Sequence, residues 1–137
     1  MTTTTERDNV ELVRSFYANF QAGKLDAVLP LLAPDFRIVY AGPSIIPAAG
    51  TWNGHQGFLA WARAGLDGHL PPESATFEVF IAQGDSVVVP GHVGLRIKTT
   101  GKRCATDFLH FFTVREGLLA SWRDFYDTFA LAQAYAR

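Results

Sequence analysis

The chain has one cysteine, almost no net charge and no apolar run long enough to cross a bilayer. A lone Cys104 cannot close an internal disulfide, which agrees with a reducing compartment and with a small buried thiol on a strand. Twelve basic and thirteen acidic side chains leave a formal charge of −1. With no Lys/Arg cluster there is no field for a phosphate backbone, so neither nucleic acid nor a membrane is expected as a partner. No glycine-rich phosphate loop is present. The histidines His55, His69, His92 and His110 lack ligand-like spacing, so no metal and no cofactor are expected. The N-terminal residues are polar and lack the apolar region of a secretion signal, which gives a cytoplasmic expectation.

What the chain does have is apolar mass: 137 residues, 48% hydrophobic and 13% aromatic. That is enough for one core, and residues 1–137 read as a single domain. Val10, Val13, Phe16, Tyr17 and Phe20 recur at helical spacing, with Thr5 and Asp8 as candidate caps and Gly23 placed to end the helix. Leu25 to Leu32 reads as a second, shorter helix. Phe36 to Tyr40 is a strand, and the apolar loop Ala41 to Gly50 that follows is expected to cover something. From a cap at Asn53, residues Phe58, Leu59, Trp61, Ala62 and Leu66 predict a third helix, stopped by Gly68 or by Pro71-Pro72. Four strands then follow in a meander: Ala75 to Ala82, Ser86 to Lys98, Arg103 to Val114 and Leu118 to Asp127, with turns at Gly84-Asp85, Thr100-Gly101 and Glu116-Gly117. Phe129 to Tyr135 adds a helical turn or packs along the sheet.

Strand side chains alternate faces, so Ala120, Trp122, Asp124 and Tyr126 are expected to share one side of the last strand. That sets a carboxylate between aromatic rings. Thr106, Phe108, His110 and Phe112 share one face of the preceding strand, and a hairpin at Glu116-Gly117 brings the two segments side by side. Asp107 and Asp127 fall on the opposite parity. An imidazole and a carboxylate bordering an aromatic cavity are what general acid/base chemistry on a carbonyl compound needs, unless a bulge separates them.

The order of elements predicts an α+β fold in which three helices from the N-terminal half cover the concave face of a strongly curved antiparallel sheet. In that order, Phe20-Gln21-Ala22-Gly23-Lys24-Leu25-Asp26, Trp52-Asn53-Gly54-His55, Gly84-Asp85-Ser86-Val87-Val88-Val89, Thr100-Gly101-Lys102 and the stretch from His110 to Asp127 resemble the nuclear-transport-factor-2-like superfamily. Its cone-shaped half-barrel includes ketosteroid isomerases, limonene epoxide hydrolases, scytalone dehydratase and SnoaL-type polyketide cyclases. The fold hosts many activities, so the resemblance is informative only residue by residue.

Against the isomerases, their helix-one tyrosine falls at Phe16, their base at Tyr40 and their second acidic donor at His110. Against the epoxide hydrolases, Trp122-Arg123-Asp124 matches a catalytic run, while their arginine and second aspartate fall at Gly91 and Val93. The cyclases use an aspartate on the last strand and a histidine on the one before, which match Asp124 and His110. The resemblance thus implies a cofactor-independent cyclase or isomerase acting on a small apolar carbonyl compound, with Asp124 and His110 catalytic. Tyr40, Trp52, His92, Phe16, Trp61, Phe108, Trp122 and Tyr126 are the expected substrate-binding residues. Epoxide hydrolysis and a non-catalytic ligand-binding or dimerisation module are the alternatives. The cavity is expected to open near Tyr40, the 41–50 loop and Trp52. Leu95, Leu109, Phe111 and Phe125 on the convex face predict a sheet-to-sheet homodimer.

Overall fold

The computed structural model describes residues 2–69 and 74–137. Helix α1 spans Thr4–Gln21. Its cap is Thr3, upstream of the expected Thr5 and Asp8: the Thr3 side chain accepts from the Glu6 backbone N–H, and the Glu6 carboxylate accepts from the Thr3 N–H. This reciprocal box satisfies two N–H groups that the first helical turn leaves open. The helix ends at Gly23, whose φ of 73° suits only a residue without a Cβ penalty. Gly23 N–H bonds the Phe20 carbonyl and Lys24 N–H bonds the Asn19 carbonyl, which closes the last turn. Helix α2 is one turn, Leu25–Val28, because Pro30 cannot continue it, and a 3-10 turn at Leu29–Leu31 follows.

Strand β1 spans Leu32–Tyr40, β2 Gly50–Asn53, and helix α3 Gly54–Gly68. Asn53 is the capping residue of α3 but makes no side-chain cap bond. The helix stops at Gly68; Pro71 and Pro72 lie outside the described residues. The expected strand Ala75 to Ala82 is two short ones, β3 at Ser74–Phe77 and β4 at Ile81–Gln83, both paired antiparallel with β5 at Ser86–Arg96. The break falls opposite Pro90. Its carbonyl accepts from Glu78 on that side, and its missing N–H leaves the partner strand nothing to pair with there. Strands β6, Arg103–Arg115, and β7, Leu118–Tyr126, complete the sheet, and helix α4 covers Thr128–Tyr135 with Asp127 as its cap. α4 is the fourth helix, where the sequence left a helical turn and sheet packing both open.

The sheet order is β2-β1-β7-β6-β5-β3, with β4 beside β5. It is mixed, because β1 lies parallel to β7 while every other pair is antiparallel. Alternation between inside and outside holds without a break along all of β6. The β6–β7 hairpin turns through Glu116 at φ 52° and Gly117 at φ 76°, a two-residue turn whose twist matches that of the strands. Just beyond it the register shifts: Val114 pairs with Leu119 but Thr113 with Ser121, so Ala120 is an unpaired bulge residue. Leu119, not Ala120, therefore takes the inner position next to Trp122.

Two apolar clusters fill the concave side. The larger packs α1 and α3 on the sheet around Phe16, whose ring meets Tyr17, Phe20, Phe58, Phe112 and Trp122 at centroid distances of 5.4–6.2 Å. The smaller joins Leu95, Ile97 and Cys104 to Leu131, Ala134 and Tyr135 of α4 and to Ile46. The apolar 41–50 loop thus covers this second cluster. Leu95 is an inner residue rather than a convex one, because it sits opposite Cys104 in register with the other inward positions of β5. No helix among the described residues is long and apolar enough to cross a membrane.

Candidate active site

A cavity of about 160 Å³ lies between the two clusters. That is roughly ten times the space one water molecule requires, enough for a small organic molecule. Its wall is mostly aromatic: Phe16, Tyr17, Phe20, Tyr40, Trp61, Phe77, Phe108, Trp122 and Tyr126 all border it, with Leu95 and Leu131 from the second cluster. His110 and Asp124 are the imidazole and carboxylate that meet there, both buried.

Their meeting is a matter of register. His110 on β6 stands directly opposite Asp124 on β7, and Tyr40 on β1 stands opposite Asp124 on its other side. The bulge at Ala120 lies between the turn and this pair, so it does not separate them. His110 Nε2 is 3.4 Å from Asp124 Oδ1, and that oxygen has no hydrogen-bond partner. The other imidazole nitrogen, Nδ1, is 2.7 Å from the Tyr17 hydroxyl. Phe108 stacks on the His110 ring at 4.2 Å, and Trp122 meets it edge-on at 4.9 Å.

The phenols near Asp124 share its field. Burial, and then the charge of Asp124, push the Tyr17 hydroxyl above the ordinary tyrosine range. The same two causes, in the same order, hold Tyr40 well above it and raise Tyr126. All three thus remain hydrogen-bond donors, and the Tyr126 hydroxyl donates to the Ala41 carbonyl at 2.6 Å.

Eight of the ten residues expected at the site border the cavity: Asp124, His110, Tyr40, Phe16, Trp61, Phe108, Trp122 and Tyr126. Two do not. His92 lies on the outer face of β5, exposed, with Nδ1 3.0 Å from Asp107 Oδ1, because its parity is opposite to that of Val89 and Gly91. Trp52 is on the short strand β2, its indole N–H donating to the Ala48 carbonyl at 3.0 Å. The cavity accordingly borders Tyr40 but neither the 41–50 loop nor Trp52; Ala75 and Phe77 of β3, at the opposite edge of the sheet from β2, border it as well. Phe20, Phe77, Leu95 and Leu131 also border the cavity without having been expected there, and so does Tyr17, which contacts His110. The sequence comparison places a helix-one phenol at position 16, whereas the hydroxyl that reaches the site comes from position 17. At Gly91, where the epoxide hydrolases have an arginine, an added Cβ would lie 2.2 Å from the Phe108 ring and 2.2 Å from the Thr76 carbonyl oxygen. No group of three or more His, Cys, Asp or Glu among the described residues could hold a metal.

A curved half-barrel sheet with helices on its concave face and a cavity between them is the architecture of a nuclear-transport-factor-2-like domain. Residues 13–122 match the SnoaL-like domain family, and the chain belongs to it. The matched stretch includes His110 and ends just short of Asp124. Among solved structures, the chain is similar to an NTF2-like protein from Burkholderia xenovorans LB400, with 29% identity over 96% of this chain and 98% of that one and a TM-score of 0.85. It is similar to an NTF2-like protein of unknown function from Burkholderia pseudomallei K96243, with 26% identity over 95% and 98% and a TM-score of 0.86. It also resembles TerC, co-crystallised with polyporic acid, at 26% identity over 93% and 98% with a TM-score of 0.83. No curated protein matches.

Proposed function

We propose that the protein is an enzyme that moves a proton on a small apolar carbonyl compound, with Asp124 as general base assisted by the adjacent His110, in a cyclase- or isomerase-like reaction that needs no cofactor. One observation carries the reading: a buried carboxylate oxygen without a hydrogen-bond partner, 3.4 Å from an imidazole, on the wall of an aromatic cavity. Leaving such an oxygen unsatisfied costs about 1–3 kcal/mol, a cost that a structural carboxylate would avoid by pairing and that a base tolerates in order to accept a proton. The aromatic wall suits an apolar ring or chain, and the neighbouring donors suit the oxygen of a carbonyl as it gains charge. The co-crystal of TerC with polyporic acid supports an organic ligand for this relative, and we extend that reading to the present cavity. Gly91 argues against the epoxide-hydrolase alternative, since Phe108 fills the space that an arginine there would need.

The test is a turnover screen of carbonyl compounds with wild type and Asp124→Asn. Activity in the wild type that Asp124→Asn abolishes supports the reading. Full activity in Asp124→Asn, or ligand binding with no turnover of any compound, leaves the binding module as the better account.

A further inference from the structure

We propose that Tyr17 is the positioning residue that fixes His110 as its Nε2–H tautomer, which makes the imidazole a donor toward Asp124 and leaves Asp124 as the sole base. The division of roles rests on the acid/base reading above; the tautomer itself rests on geometry. The 2.7 Å contact between the Tyr17 hydroxyl and Nδ1 allows two arrangements. Either the phenol donates to an Nδ1 lone pair, or an Nδ1–H donates to the phenol oxygen.

The opposite edge of the ring decides between them. Nε2 lies 3.4 Å from Asp124 Oδ1. With the proton on Nδ1, an Nε2 lone pair would face a carboxylate oxygen across a buried gap, and the two would repel. With the proton on Nε2, an N–H faces the carboxylate and the phenol supplies the donor that Nδ1 then requires. Burial and the charge of Asp124 keep that phenol protonated, which is the form the arrangement needs.

Packing holds both partners in place. The Tyr17 ring stacks on Phe77 at 4.1 Å and meets Phe16 and Phe112 edge-on, while Phe108 covers one face of His110. A ring flip of His110 would turn carbon atoms toward both Tyr17 and Asp124, losing both polar contacts. In this state His110 cannot accept a proton at the edge facing Asp124. A proton taken from substrate therefore goes to the carboxylate, and the imidazole keeps its own proton on Nε2.

Long-range proton–nitrogen NMR on 15N-labelled protein reads the tautomer directly. In wild type, the neutral His110 ring is expected to show a protonated Nε2 and an unprotonated Nδ1. In Tyr17→Phe, the two nitrogen signals should move toward each other as both tautomers become populated. A wild-type ring protonated at Nδ1, or an identical tautomer ratio in Tyr17→Phe, overturns the proposal. If Tyr17→Phe does not fold, the wild-type spectrum still decides. Lack of turnover with every carbonyl compound would sink the acid/base reading while leaving the tautomer result standing, so the two failures are distinguishable.

Discussion

The ring of Phe108 occupies the space that any side chain at Gly91 would need, and the same ring stacks on His110 at 4.2 Å. Gly91→Ala is therefore expected to destabilise the protein by about 1–3 kcal/mol or more, since the added methyl group also meets the Thr76 carbonyl oxygen, a backbone atom. Urea denaturation measures the loss. A shift of the His110 ring resonances in the same variant would show that the displaced Phe108 moves its neighbour.

Asp124→Asn keeps the shape of the side chain and removes the carboxylate that we propose as the base. Turnover should fall on the order of 100-fold or more, with the fold retained. His110→Gln, which keeps a donor, should cost less. Steady-state kinetics beside a thermal melt of each variant separates a chemical defect from a folding one.

Phe16 is fully buried and touches five other aromatic rings. Phe16→Ala opens a cavity at the junction of α1, α3 and the sheet, and is expected to cost about 3–5 kcal/mol. Chemical denaturation with an unchanged slope against denaturant would show that the loss is one of stability and not of cooperativity.

Alkaline pH should unfold the protein in a way its tyrosines control. In the unfolded chain a phenol loses its proton near pH ~10. Tyr17, Tyr40 and Tyr126 hold theirs to higher pH in the fold. Above that pH the folded state binds more protons than the unfolded one, so this contribution is fully present below about pH 10 and is lost as pH rises through the folded values. Denaturation midpoints measured at increasing alkaline pH should fall, and Tyr40→Phe should flatten the decline.

Leu109 and Phe125 are paired neighbours on the outer face of the sheet, 38% and 44% exposed, and the Arg123 guanidinium lies 4.6 Å over the adjacent Phe111 ring. We propose that a second copy of the chain covers this patch. Light scattering at micromolar concentration should give a dimer mass, and Leu109→Asp should give a monomer. A monomer mass for the wild type would remove the proposal.

The parity of β6 was legible because its thirteen residues alternate without interruption, and that alone placed Thr106, Phe108, His110 and Phe112 on one face. The same rule applied to β5 sends His92 outward, because the register runs unbroken through Pro90 and Gly91 and Gly91 is the inward residue. Tyr17 was hidden by its neighbour: an apolar stripe wide enough to hold both Phe16 and Tyr17 does not say which ring's edge reaches a late strand. The parallel pairing of β1 with β7 is a contact between distant segments, on which no local pattern bears. Trp52, expected at the cavity mouth, stands instead on an edge strand and does not border the cavity.

The bulge at Ala120 has a further consequence. On the turn side of it, Arg115 pairs with Leu118 and Val114 with Leu119; beyond it, Thr113 pairs with Ser121 and His110 with Asp124. Had the first register continued, His110 would stand opposite Arg123, with the guanidinium turned inward and the carboxylate outward. The chemistry of the site is thus encoded by chain length as well as by residue identity. One residue gained between Gly117 and Trp122, with the single bulge kept, would bring Arg123 opposite His110 and exchange an acid for a cation, whereas loss of Ala120 alone would leave a plain hairpin that still pairs His110 with Asp124. A homologue with the same histidine and aspartate but a hairpin one residue longer would spell the same letters and build a different pocket.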